Sequence, residues 1–306
     1  MKILLTGSSG FIGTALKQLL EEQNIEVVPF DIKDNPLDDV RDFSALQSKV
    51  MGIDGIVHLA AVSRVKIAHE NPLECIKTNV GGIINVLESA RTLLSEEKHP
   101  WVIFGSSREV YGEPVNLPVV ETSFRKAINV YGVSKLTGEE LCNVYAENYG
   151  LKTRVLRFSN VYTGTHDHLD RVIPKFILAA FNKEDLVING SGEEIFDFTY
   201  ITDTIHGIWV CIQEIERNSD LFDDFNISTG VPISLKKLAE VIIEKTGSSS
   251  RVKYTKSRSY DVNKFYADPG KARKMLGFSP KITLEIGIDL AIEDLKNLSS
   301  GKTLQS

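Results

Sequence analysis

The 306-residue chain is 42% hydrophobic and 25% charged, enough apolar material for a sizeable core and one or two domains. A net charge of −6 gives no general basic surface for nucleic acid, although a local basic pocket for an anionic small molecule stays open. Cys75, Cys142 and Cys211 are an odd, scattered set that argues against a disulfide framework or a thiolate metal site, and no apolar run reaches the roughly 18 residues of a membrane span.

The start of the chain runs straight into motif, leaving no room for a secretory leader, so a cytoplasmic, reducing location is expected. Ile3 to Leu5 read as a short strand ending at Thr6-Gly7, and Phe11 onward reads as a helix with Ile12, Ala15, Leu16, Leu19 and Leu20 on one side. Between them, Gly7-Ser8-Ser9-Gly10-Phe11-Ile12-Gly13 has the strand-loop-helix context of a dinucleotide site. Gly7 permits a tight turn, Gly10 lets a pyrophosphate approach the backbone, and Gly13 lets the helix sit close to the sheet. A glycine-rich turn without a ligand is the plain alternative.

Glu26 to Phe30 form a second strand ending at Asp31, whose carboxylate can accept from an adenosine ribose and would repel the extra phosphate of NADP. That favours NAD, with Lys33 nearby as the opposing charge. Asp42 either caps the next helix or reaches the adenine. Gly55 to Leu59 make another buried run, followed by the small residues Ala60 and Ala61, beside which a flat cofactor can lie. His58 within it reads as a core histidine. Asn79 opens or sits within a helix carrying Ile83, Ile84, Val86 and Leu87, either bracing the site or exposed.

Trp101 to Phe104 form a strand followed by Ser106-Ser107-Arg108-Glu109-Val110-Tyr111-Gly112, where doubly wound sheets bind ligands. Ser107 can donate to a sugar or carbonyl oxygen, Glu109 can move a proton and Arg108 can steer an anion; each has an alternative as a loop-capping group. Alternating strands and helices make an α/β parallel sheet the expected architecture. Tyr131 and Lys135 then stand one helical turn apart, so the ammonium can favour ionisation of a phenol whose ordinary pKa is about 10.

Together, the glycine loop, His58-Leu59-Ala60-Ala61, Ser106-Ser107 before Val110-Tyr111-Gly112, and Tyr131-x-x-x-Lys135 resemble the extended short-chain dehydrogenase/reductases. The nearest branch is the NAD-dependent epimerase/dehydratases of nucleotide sugars. The resemblance covers nearly the whole chain. It implies a Rossmann-like doubly wound parallel sheet with a smaller, interleaved C-terminal substrate domain. Residues 1–165 and 198–230 would form the dinucleotide-binding part, and 166–197 with 231–306 the substrate part. It also implies that Tyr131 takes a proton from a sugar hydroxyl, that Lys135 lowers the Tyr pKa and holds the nicotinamide ribose, and that Ser107 holds the reacting oxygen. Members are often homodimers, and their chemistry needs no metal, so His166 and His168 read as a solvated turn.

Arg154 to Phe158 read as a strand leading to Asn160, which would bind substrate phosphate or sugar; Arg157 matches the same motif. Thr163-Gly164-Thr165 departs from the usual Gly-Pro. Arg171 to Phe181 read as a helix despite Pro174, Leu186 to Ile188 as a strand, Phe225 to Ser228 as another. Arg258 matches an arginine that can pair with a diphosphate. Phe196 stands where relatives commonly have Arg and Tyr260 where they have Gly, so one usual anchor is missing, with Arg108, Lys175 or Arg171 as possible replacements. A 4-epimerase working through a 4-keto sugar is the preferred reaction. Ser107 is followed by Arg108-Glu109 rather than the Asp-Glu of 4,6-dehydratases. UDP-glucuronate decarboxylation, dehydration and keto-sugar reduction are the alternatives within the family, and a non-catalytic nucleotide-binding regulator is the alternative outside it.

Overall fold

The computed structural model of the chain describes residues 1–95, 98–258 and 260–299. The strands are β1 Lys2–Thr6, β2 Glu26–Phe30, β3 Gly55–His58, β4 Trp101–Ser107, β5 Lys152–Phe158, β6 Asn160–Tyr162, β7 Leu186–Asn189, β8 Ile195–Phe196, β9 Phe198–Tyr200, β10 Phe222–Ile227, β11 Ile233–Ser234 and β12 Val252–Thr255. The helices are α1 Phe11–Glu22, α2 Phe43–Lys49, α3 Val65–Glu70, α4 Pro72–Arg91, α5 Val130–Tyr149, α6 Val172–Phe181, α7 Ile201–Arg217, α8 Leu235–Thr246, α9 Gly270–Leu276 and α10 Leu284–Ser299.

Six strands pair in parallel in the order β10-β5-β4-β3-β1-β2. Every residue of β3 and β4 is buried, as expected of interior parallel strands covered on both faces. Alternation sends Ile3 and Leu5 into the same cluster as Leu16, Leu20, Ile208 and Ile212, whereas Leu4 joins Leu46, Ile83, Val86 and Cys142 on the other face. Helices α1 and α7 therefore cover one side, and α2, α4 and α5 the other. The chain leaves β1 toward β2 and returns to the opposite flank at β3. Such a reversal opens a crevice at the carboxyl ends of the strands.

The smaller C-terminal part combines the pairs β7-β12 and β8-β11 with α6, α8 and α10, while β6-β9 forms a further two-stranded pair. Strand β10 returns to the edge of the large sheet beside β5. The expected strands and helices are present, with β4 running on to Ser107 and β10 beginning at Phe222. Pro174 lies in the first turn of α6, where a missing N–H is harmless. Among the described residues, no helix is long and apolar enough to cross a membrane.

Two buried arginines tie the sheet to its helices. Arg157 on β5 makes two 2.9 Å bonds to the carboxylate of Glu139 on α5, one of 2.5 Å to Asp224 and one of 2.9 Å to the Tyr111 hydroxyl. Ser106 Oγ donates to the same Glu139 at 2.5 Å. Arg154 is held by Glu214 and by the carbonyls of Thr153 and Asp220. Breaking one side of a buried pair leaves an uncompensated charge, so Glu139→Gln is expected to lower unfolding stability by about 3–5 kcal/mol, read from urea unfolding.

Candidate active site

A cleft of about 840 Å³ opens over the strand ends. It gathers Gly7, Gly10, Phe11, Ile12 and Gly13 from the loop and α1, Asp31 directly after β2, Leu59, Ala60 and Ala61 after β3, Ser107 at the end of β4, and Arg108 and Glu109 directly after it. Tyr131 and Lys135 on α5, Asn160 on β6 and Arg258 complete this set.

Two glycines of the loop are fixed by space. Gly7 has φ +72°, and a Cβ there would stand 2.7 Å from the Ala60 nitrogen. A Cβ on Gly13 would stand 2.0 Å from the Gly7 carbonyl oxygen, so α1 sits directly on the turn that precedes it. No side chain caps α1, so its amino end presents its N–H groups to the cleft. Asp31 is nearly buried and accepts from the Ser9 N–H at 3.0 Å and the Lys33 N–H at 2.9 Å. Lys33 Nζ is turned onto the Ser9 carbonyl at 3.1 Å, and Arg41 is engaged by Asp39 and Glu74. A carboxylate acceptor beside cations that are already engaged suits a dinucleotide whose adenosine ribose carries free hydroxyls.

Asn129 caps α5, its Oδ1 accepting from the Gly132 N–H at 2.8 Å. This cap delivers Tyr131 and Lys135 into the cleft from the first two turns. Lys135 Nζ donates to the Gly105 carbonyl at 2.7 Å and lies 4.8 Å from the Phe104 ring centre and 5.9 Å from that of Tyr131. Burial pushes the Tyr131 phenol up to about 12; a hydrogen bond with Ser107 pulls it down and the Glu109 charge pushes it up. Burial lowers Lys135 to about 8. Burial is the largest influence on both groups, and the Lys135 ammonium is directed to a backbone carbonyl.

Glu109 is buried and both its oxygens are engaged, Oε1 by Arg108 Nη2 at 2.9 Å and Oε2 by Asn129 Nδ2 at 2.8 Å. Asn160 accepts from Arg108 Nε at 3.2 Å and donates to the Asp197 carbonyl at 3.3 Å. The Arg108 guanidinium lies 5.0 Å from the Phe196 ring centre and 5.7 Å from that of Phe265. Arg258 is paired with Asp261 at 2.7 Å and lies 5.5 Å from the ring centre of Tyr260, which itself stacks on His69 at 4.3 Å. Ser259, between Arg258 and Tyr260, lies outside the described residues.

The NAD dependent epimerase/dehydratase family matches residues 3–228. The chain belongs to this family. Among solved structures it is similar to a UDP-glucose 4-epimerase from Thermotoga maritima with UDP-glucose, at 29% identity and a TM-score of 0.89 over 98% of this chain and 100% of that one. It is also similar to a UDP-glucuronic acid 4-epimerase from Bacillus cereus in complex with UDP-glucuronic acid and NAD, at 27% identity and 0.87 over 97% and 100%. A curated relative, UDP-glucuronic acid decarboxylase 1 of Arabidopsis thaliana, is 27% identical over 97% of this chain and 70% of its own.

Within this family member, one candidate stands apart from the cleft. Asp42 Oδ1 accepts from the Ser44 and Ala45 N–H groups and caps α2, and the neighbouring Asp38, Asp39, Val40 and Arg41 face the cleft instead. The cap satisfies backbone donors that an outward-facing carboxylate would leave unmade. Asp167, near the two loop histidines, accepts from the His168 N–H and pairs with Arg171 at 3.2 Å. Among the described residues, no group of three His, Cys, Asp or Glu side chains is arranged to hold a metal ion.

Two braces were not anticipated in full. Asn79 is buried, accepts from the Val62 N–H at 2.8 Å and donates to the Val62 carbonyl and Ser134 Oγ, joining α4, α5 and the loop after β3. Asn129 stands immediately before the helical run of α5, a capping signal present in the sequence itself. His58 is fully buried, with Nδ1 2.7 Å from Thr6 Oγ1, and burial followed by the Lys135 charge lowers it to about 3. Its folded value lies below the ordinary 6.5, so the unfolded chain binds more protons between these values and stability falls as pH drops through that window. His58→Gln should remove about 3 kcal/mol of the loss between about pH 6.5 and 4, measured by urea unfolding across pH.

Proposed function

We propose that the protein is an NAD-dependent nucleotide-sugar 4-epimerase. The observation that carries the choice of reaction is the double engagement of Glu109. Elimination or decarboxylation chemistry asks this carboxylate to move a proton, whereas here it orients Arg108 and Asn129. Tyr131 and Ser107, which line the same cleft, remain as the pair to meet the reacting oxygen.

In this reading the Gly7–Gly13 loop, Asp31, the small residues Ala60 and Ala61, and Lys135 would hold NAD. When bound, it supplies an acceptor and then a donor for the hydrogen on the sugar carbon. Tyr131 Oη takes the proton of the C4 hydroxyl and later returns it, and Ser107 Oγ orients that oxygen. Lys135, protonated below about 8, stabilises the phenolate that forms. A positive charge arriving with the dinucleotide would lower a phenol that is otherwise about 12. The transient 4-keto sugar is turned over between the two transfers, so the product has the mass of the substrate.

The test incubates the purified protein with UDP-glucose, UDP-galactose and their uronate counterparts, followed by isomer-resolved analysis. An unchanged mass with inverted C4 is expected; a product lighter by water or carbon dioxide would reject epimerisation. Tyr131→Phe is expected to lower turnover about 10²–10⁴-fold while leaving dinucleotide affinity within about threefold, read by fluorescence titration.

A further inference from the structure

We propose that Arg108 is the residue that takes an oxyanion of the substrate, at the junction of the cleft and the small C-terminal part. The proposal rests on the nucleotide-sugar reading above. Its basis is a comparison among arginines within the same molecule. Arg154 and Arg157 are buried structural groups, and Nε, Nη1 and Nη2 of each are hydrogen-bonded to protein. Arg108 is nearly as enclosed, its side chain 12% exposed, yet its Nη1 has no partner.

The rest of the side chain is fastened. Nε is held by Asn160 and Nη2 by Glu109, and the guanidinium plane is flanked by Phe196 and Phe265. Fixing a guanidinium so thoroughly while leaving its two Nη1 protons unused is unfavourable, because an unmet buried charged donor loses its hydration without compensation. A guanidinium cannot relieve this by losing its proton. The arrangement suits a ligand that brings acceptors only, as carboxylate and phosphate oxygens do. Phe196 lies on a two-residue strand, lines the cleft together with Arg108 and is partly exposed, so the guanidinium borders the ligand space beside that ring. Arg108 lines the same cleft as Ser107 and Tyr131, so an oxyanion taken there belongs to the ligand those residues meet.

Two parts of a nucleotide sugar present this chemistry: the diphosphate and a carboxylate at C6 of a uronate. Calorimetric titration of the NAD-loaded protein with UDP, UDP-glucose and UDP-glucuronate separates them. Arg108→Gln is expected to weaken binding about 10–100-fold. Loss for all three ligands assigns the diphosphate; loss for UDP-glucuronate alone assigns the carboxylate. Arg108→Lys keeps a cation beside Glu109 but lacks the planar fork, and is expected to lose the same ligands to a smaller degree, which covers the case where the Gln variant does not fold. Unchanged affinity of the folded variants for all three probes overturns the proposal. If the wild-type protein takes none of them, the nucleotide-sugar reading fails and this proposal falls with it.

Discussion

The pairing of Arg157 with Glu139 is the constraint on which the candidate site depends. Arg157 belongs to β5 and Glu139 to α5, so one buried ion pair fixes the helix that carries Tyr131 and Lys135 against the strand ends that carry Ser106 and Ser107. Ser106 enters the same network through Glu139, while its neighbour Ser107 faces the cleft. Both serines line the cleft, and Ser106 is at the same time bonded to Glu139, so the ion pair holds the strand end that carries them.

Positioning on the cofactor side is achieved by close backbone approach. Gly7 and Gly13 allow α1, β1 and the loop after β3 to come within distances that any side chain would forbid. Thr6 and His58, paired beneath that loop, bind β1 to β3 at the point where the chain reverses across the sheet. Asn79 and Asn129 hold the other wall, each with its amide engaged at both ends. Such satisfied polar links inside an apolar surround are rigid, because every alternative leaves a buried donor or acceptor unmet. Between these walls burial is the largest influence on Tyr131 and Lys135, pushing the phenol upward and the ammonium downward.

The C-terminal part follows a different logic. Phe196 brings no charge to the cleft, but its ring meets the Arg108 guanidinium arriving from the large sheet. Tyr260 likewise stacks against His69 of α3, and its carbonyl accepts from Asn129. Asp197 acts as a hinge of hydrogen bonds, accepting from the backbone N–H groups of Thr229 and Gly230, and burial raises its pKa. These contacts join segments far apart in sequence.

The sequence by itself determined the layered fold and most of the cleft. Hydrophobic runs bounded by Gly7, Asp31, Ala60 and Ser107 marked strand ends, and those ends converge because parallel strands with crossover helices must present their carboxyl termini together. The i, i+4 spacing of Tyr131 and Lys135 likewise fixed their shared face without further information. Tertiary structure alone decided where polar side chains that can serve two masters direct their atoms. Asp42 turned to its own helix, Lys135 to the Gly105 carbonyl, and Glu109 to Arg108 and Asn129. The reason is range: periodicity and turn chemistry are set by neighbours within a few residues. The partner of a buried charge is whichever complementary group the folded chain brings within about 3 Å, and no local pattern records that choice.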